Sequence, residues 1–154
     1  MIKNKDIFKH IREYKELRML KGDLPIEVIE KLWKLDALKV SYAFQREEVA
    51  TDEWKEQLVG TLLQNKTPSC IILWEKEPGV YYIVDGLQRL STLRDFMINN
   101  TVKTPYNGGE PIVIQGKNNA KVKVLSKTYE ELKENPDWNL IKDVFLNFPF
   151  TVHI

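Results

Sequence analysis

The sequence holds a single cysteine, Cys70, so no disulfide can form within the chain, and the frameworks of small secreted proteins are excluded. Cys70 opens the apolar run Cys70 to Trp74, which points to a buried thiol in a reducing compartment and hence to the cytoplasm. Histidine is almost as scarce. His10 and His153 stand near opposite ends, and with one cysteine they cannot make a zinc site by themselves. A catalytic metal would therefore be carboxylate-bound magnesium. No stretch approaches the roughly 18 apolar residues of a membrane span. The charged, amphipathic N-terminus has no signal-peptide core, and no membrane role is expected. An excess of one charge is also missing: 23 basic residues face 22 acidic ones. The whole-chain field then gives no steering toward nucleic acid, and only a local basic patch could. A Walker A loop, a Gly-x-Ser-x-Gly elbow and a cysteine and histidine pair are absent as well, which disfavours those enzyme classes.

What is present suffices for one core. With 154 residues, 43% of them hydrophobic, the chain reads as a single domain over residues 1–154, without repeats or linkers. Ile7, Phe8, Ile11, Tyr14, Leu17 and Leu20 recur at helical spacing, and Gly22 follows where that helix would stop. A second helix has Pro25 in its first turn, an inward face of Ile26, Ile29, Leu32 and Trp33, and an end near Asp36. Val40 to Phe44 reads as a strand. A third helix, capped by Thr51 or Asp52, carries Trp54, Leu58, Leu62 and Leu63 on one face and closes at Thr67-Pro68. Cys70 to Trp74 and Val80 to Val84 form a hairpin, with Pro78-Gly79 suited to a type II turn. The period then changes to helical, with Leu90, Leu93 and Met97 on one face and an end at Asn99-Asn100. Ile112 to Gln115 and Lys121 to Leu125 make a second hairpin around Gly116 to Asn119. Tyr129 to Lys133 and Leu140 to Phe145 read as helices, and Phe148 to Ile154 as a final strand. The fold class is α+β: a small mixed sheet with hairpins, packed by amphipathic helices.

One segment points to chemistry. A helix N-terminus presents unpaired N–H groups and the positive end of its dipole, and a preceding glycine lets an anion approach the backbone closely. Asp85-Gly86-Leu87-Gln88-Arg89 has this form. Arg89 can hold two phosphate oxygens in its fork, Gln88 can orient a water, and Ser91 and Thr92 can add hydroxyl contacts. Asp85 would stand at a magnesium ion or position an attacking water. In the purely structural alternative, Asp85 caps the helix, Gly86 makes a turn and Arg89 pairs with Asp95 or another acid. Gln45-Arg46, at the end of a strand, is a weaker signal that a solvated loop explains as well. Tyr81, Tyr82, Trp54 and Trp74 read as core and hairpin residues rather than base-stacking platforms.

Phe44-Gln45-Arg46, the helix ending Leu62-Leu63, and the run from Ile83 through Asp85-Gly86-Leu87-Gln88-Arg89 to Leu93 together resemble a known family. This is the ParB/sulfiredoxin-like domain of GmrSD-type, modification-dependent restriction enzymes, long catalogued as a domain of unknown function. Its hallmark is Asp-Gly-Gln-Gln-Arg after a hairpin, with an earlier Gln-Arg pair. The match is good over Val40 to Met97, weaker from Tyr129 onward, and departs where Leu87 replaces a glutamine. The resemblance implies a ParB/sulfiredoxin-like fold, here the N-terminal part of the family's domain, truncated at its C-terminal end. It further implies binding of a nucleoside triphosphate with magnesium, with hydrolysis less firmly implied, and a regulatory role in a bacterial or phage DNA-defence system. Its partner would be a separate nuclease domain or subunit, with DNA a further partner; no nuclease motif is present in these residues. The carried-over site is Gln45, Arg46, Asp85, Gly86, Gln88 and Arg89. The alternative reading is a non-catalytic DNA- or partner-binding module, such as a phage protein that interferes with a host restriction complex.

Overall fold

The structure, a computed structural model, describes residues 21–40, 50–66 and 70–154. The helix expected over Ile7 to Leu20, all but Val40 of the strand expected over Val40 to Phe44, and Gln45 and Arg46 lie outside them. The protein is α+β with a mixed sheet, and its backbone groups into two compact units. The first takes its described residues from 21–40, 70–87 and 149–154, and the second from 50–66 and 88–148.

In the first unit, β1 (Lys21–Pro25), β2 (Leu38–Val40), β3 (Ile71–Glu77), β4 (Val80–Asp85) and β7 (Pro149–His153) form a five-stranded sheet in the order β1-β7-β3-β4-β2. β3 and β4 are the expected antiparallel hairpin, and Gly79 at φ 81° supplies the positive angle of a type II turn. Side chains alternate across the sheet. Ile71 and Leu73 of β3, Tyr81 and Ile83 of β4, and Phe150 and Val152 of β7 are buried, whereas Ile72 and Trp74 are exposed. Trp74 and Tyr82 are directly paired with ring centroids 5.9 Å apart, and Tyr81 lies in the core, so these three aromatics have the structural places expected of them. Helix α1 (Ile26–Lys34) buries Ile26, Val28, Ile29, Glu30 and Leu32, while Trp33 is only half-buried.

Strand β1 was not expected. Gly22, read as a helix stop, pairs with Val152, and Pro25 pairs with Pro149 and precedes α1 as its cap rather than entering its first turn. The segment Lys-Gly-Asp-Leu-Pro has little intrinsic strand preference. Its ladder comes from β7, more than a hundred residues further along the chain. Proline is tolerated at its end because an edge strand leaves some N–H positions unused.

The second unit is built on α2 (Asp52–Leu63), α3 (Leu87–Met97, whose Gln88 onward belongs here), the hairpin β5 (Ile112–Gln115) and β6 (Lys121–Val124), α4 (Tyr129–Lys133) and α5 (Trp138–Leu146). Thr51 is the cap of α2, its Oγ1 accepting from the Trp54 N–H at 3.1 Å. Thr51→Ala should destabilise the fold by about 1 kcal/mol, read as a lower urea midpoint at unchanged slope. Trp54, expected on the inward face, is 41% exposed. The buried stripe is Val59, Leu62 and Leu63, and at about 100° per residue Trp54 falls on the far side while Lys55 falls beneath the stripe. Phe96, Tyr129 and Phe145 close the core, with Phe96 centroids 5.3 Å from Tyr129 and 5.6 Å from Phe145. Thr128 and Glu131 form a capping box on α4, each side chain bonding the other's N–H at 3.2 Å.

Candidate functional site

The sequence-marked segment has the expected backbone: strand β4 ends at Asp85, Gly86 follows at φ 101°, and α3 begins at Leu87. A side chain at that φ would clash with its own backbone, so glycine is what permits a strand to turn straight into a helix here. Gly86 and Leu87 are buried, Asp85 is exposed, and Gln88 and Arg89 are half-buried. Leu87 is 5% exposed; it faces the core, while the polar residues after it occupy the first turn. Gln88 and Arg89 thus stand in the first turn of an eleven-residue helix, at the positive end of its dipole.

Ser91 and Thr92 are fully buried. Their hydroxyls donate to the Gln88 carbonyl, at 3.3 Å from Ser91 and 2.6 Å from Thr92. Both therefore brace the first turn of α3 from within, with their protons directed at backbone.

Sequence reasoning did not find a buried, multiply bonded carboxylate in the second unit. Asp95, 8% exposed, accepts from Lys55 at 2.9 Å, Asn99 at 2.9 Å and Arg94 at 3.2 Å. Burial, the largest influence, pushes its carboxyl up, but hydrogen bonds from Lys55 and Asn99 and the charges of Arg94 and Lys55 together outweigh it and hold the pKa below its ordinary value. Lys55 and Asp95 thereby tie α2 to α3. The helical offset of Lys55 from Val59 and Leu62 was the available signal, although a lysine is more often solvated.

Removing Lys55 leaves a buried carboxylate with fewer donors. Lys55→Met should cost about 1.5–3 kcal/mol near neutral pH. Because the folded pKa of Asp95 is depressed, its contribution is present above the unfolded carboxylate pKa and is lost as pH falls through the lower folded value. Urea unfolding across the acid range should show that loss in the wild type and a shallower one in Lys55→Met; parallel curves would refute the assignment.

Of the residues singled out from sequence, Asp85, Gly86, Gln88 and Arg89 follow one another through a single strand-to-helix junction. Gln45 and Arg46 lie outside the described residues, but β2, which leads toward them, pairs in parallel with β4 and places Val40 beside Ile83. The chain thus leaves β2 and β4 at the same end of the sheet. Among the described residues no cluster of three or more histidine, cysteine or acidic side chains could hold a metal by itself. Magnesium usually takes one or two protein carboxylates and completes its shell with water and phosphate oxygens, so a lone exposed Asp85 fits it only in company with a bound polyphosphate. Cys70, expected to be buried, is half-buried. No helix among the described residues is long and apolar enough to cross a membrane. Comparison of the chain with protein-family models, curated proteins and solved structures finds no match.

Proposed function

We propose that this chain is a nucleotide-binding, ParB-like regulatory module of a modification-dependent DNA-restriction system, with a ParB/sulfiredoxin-like fold. The observation that carries the reading is the junction itself: strand β4, glycine at positive φ, then a helix whose first turn presents Gln88 and Arg89. The parallel exit of β2 beside β4 supports it further, since ligands of open sheets gather at carboxyl ends of parallel strands.

In this reading the first-turn N–H groups and Arg89 grip the phosphates and Gly86 keeps the backbone open to them; the family resemblance would add Gln45 and Arg46. Asp85 would hold magnesium, which when bound neutralises phosphate charge. Gln88 would orient a water, so that hydrolysis is a second and separable proposal. A nuclease domain or subunit is the proposed partner. Calorimetric titration of the full chain with each common nucleoside triphosphate, with and without magnesium, tests the reading. Saturable, magnesium-dependent heat with at least one nucleotide supports it, and silence with all of them sinks it. Phosphate release then decides between binding and turnover.

A further inference from the structure

The chain as a whole is nearly neutral, yet residues 111–127 contain four lysines and neither aspartate nor glutamate. This stretch is the β5-β6 hairpin with its flanks. In its ladder Val113 pairs with Lys123 and Gln115 with Lys121. Alternation splits the ribbon cleanly: Ile112, Ile114, Val122 and Val124 are buried, while Val113, Gln115, Lys121 and Lys123 all face outward and are exposed. Lys117 stands at the tip, where Asn118 and Asn119 at φ 58° and 60° make the tight turn. None of the ion pairs among the described residues involves Lys117, Lys121 or Lys123.

The ribbon is also firmly seated. A Cβ built on Gly116 would lie 2.8 Å from the Leu140 side chain, so the turn end of the hairpin rests directly on α5. Four buried aliphatic side chains then hold a narrow two-stranded arm whose outer row is cationic and amide-bearing. From these features we infer that the outer face of this hairpin is a contact surface for double-stranded DNA.

The chemistry is that of a β-ribbon reader. The major groove of B-form DNA, about 12 Å wide, admits a two-stranded ribbon, whereas the A-form groove of duplex RNA is too narrow for one. Lys121 and Lys123, two residues apart on one strand, stand about 7 Å from each other and reach backbone phosphates, as does Lys117 at the tip. Gln115, opposite Lys121 in the ladder and donating from Nε2 to the exposed Asn119 Oδ1 at 3.3 Å, is the side chain able to pair with an adenine edge, and the Val113 methyls suit a thymine methyl. This surface belongs to the second unit alone and does not rest on the nucleotide reading of α3.

Fluorescence anisotropy of a labelled DNA duplex of mixed sequence, titrated with the full chain over a range of salt, tests the inference. Three phosphate contacts predict a slope of log affinity against log salt of about −2.7. Replacing Lys117, Lys121 and Lys123 together by alanine should remove most of that slope. The variant changes only exposed side chains, and an unchanged circular dichroism spectrum and urea midpoint will show that it folds. A variant with the same charge loss in the first unit, Lys31, Lys34 and Lys76 to alanine, should keep wild-type affinity. Duplex RNA should compete more weakly than duplex DNA. No DNA binding by the wild type at low salt, equal weakening in both triple variants, or equal competition by RNA would each overturn the inference.

Discussion

Arg89→Ala is expected to weaken binding of the preferred nucleoside triphosphate by about ten- to a hundredfold, the loss of one charge-assisted, two-pronged hydrogen-bond donor at an anion site. The effect should be large because the guanidinium stands in the first turn of α3, where its charge and the helix dipole add. Its Nε atom is buried, so truncation alone could disturb the helix, and Arg89→Lys provides the necessary second variant. Lysine keeps the charge and much of the stem but loses the planar fork. On the proposed reading it recovers only part of the affinity while unfolding at the wild-type urea midpoint. Titration calorimetry of wild type, Arg89→Ala and Arg89→Lys gives the answer. Equal affinity in all three would remove Arg89 from the site, whatever the nucleotide does elsewhere.

Phe96→Ala should destabilise the second unit by about 3–5 kcal/mol, the range for deleting a buried aromatic ring whose cavity cannot collapse. Phe96 is fully buried. It packs edge-on against Phe145 and tilted against Tyr129, and Tyr129 in turn meets Trp138 edge-on at 5.7 Å. Edge-to-face pairs carry a preference beyond the area they bury, and three elements, α3, α4 and α5, lose a shared contact at once. Denaturant unfolding followed by tryptophan fluorescence reads the effect, since Trp138 borders the cluster. Val113→Ala, on the exposed face of β5, serves as the comparison and should shift stability by no more than about 0.5 kcal/mol. A similar small shift for Phe96→Ala would mean that the aromatic cluster is not the core of this unit.

Much of the architecture was legible from local pattern. The hairpin from β3 to β4, its turn at Pro78-Gly79, the change from strand to helix after Asp85, the second hairpin, the terminal strand and the helices over Ile26–Lys34 and Asp52–Leu63 all stand where alternation, helical spacing and turn residues put them. The strand-glycine-helix junction was legible for the same reason: it depends on residues adjacent in sequence and on a backbone angle that glycine alone adopts readily.

Three features were not legible: two depend on a partner remote in the chain, and the third on burial in the folded core. β1 exists because β7 completes its ladder. Lys55 is drawn inward, and Trp54 left outward, because Asp95 stands forty residues further on to receive the ammonium. The Ser91 and Thr92 hydroxyls looked available for a ligand until packing buried them against the Gln88 carbonyl. By itself, then, the sequence determined the order and kind of most elements and the chemistry offered at the start of α3, since these follow from nearest-neighbour sterics and the spacing of apolar residues. Tertiary structure alone decided which edge strand forms, which charge is buried and which hydroxyls are shut off from solvent, because each is set by burial, or by pairing with a distant group, that arises only when the chain folds.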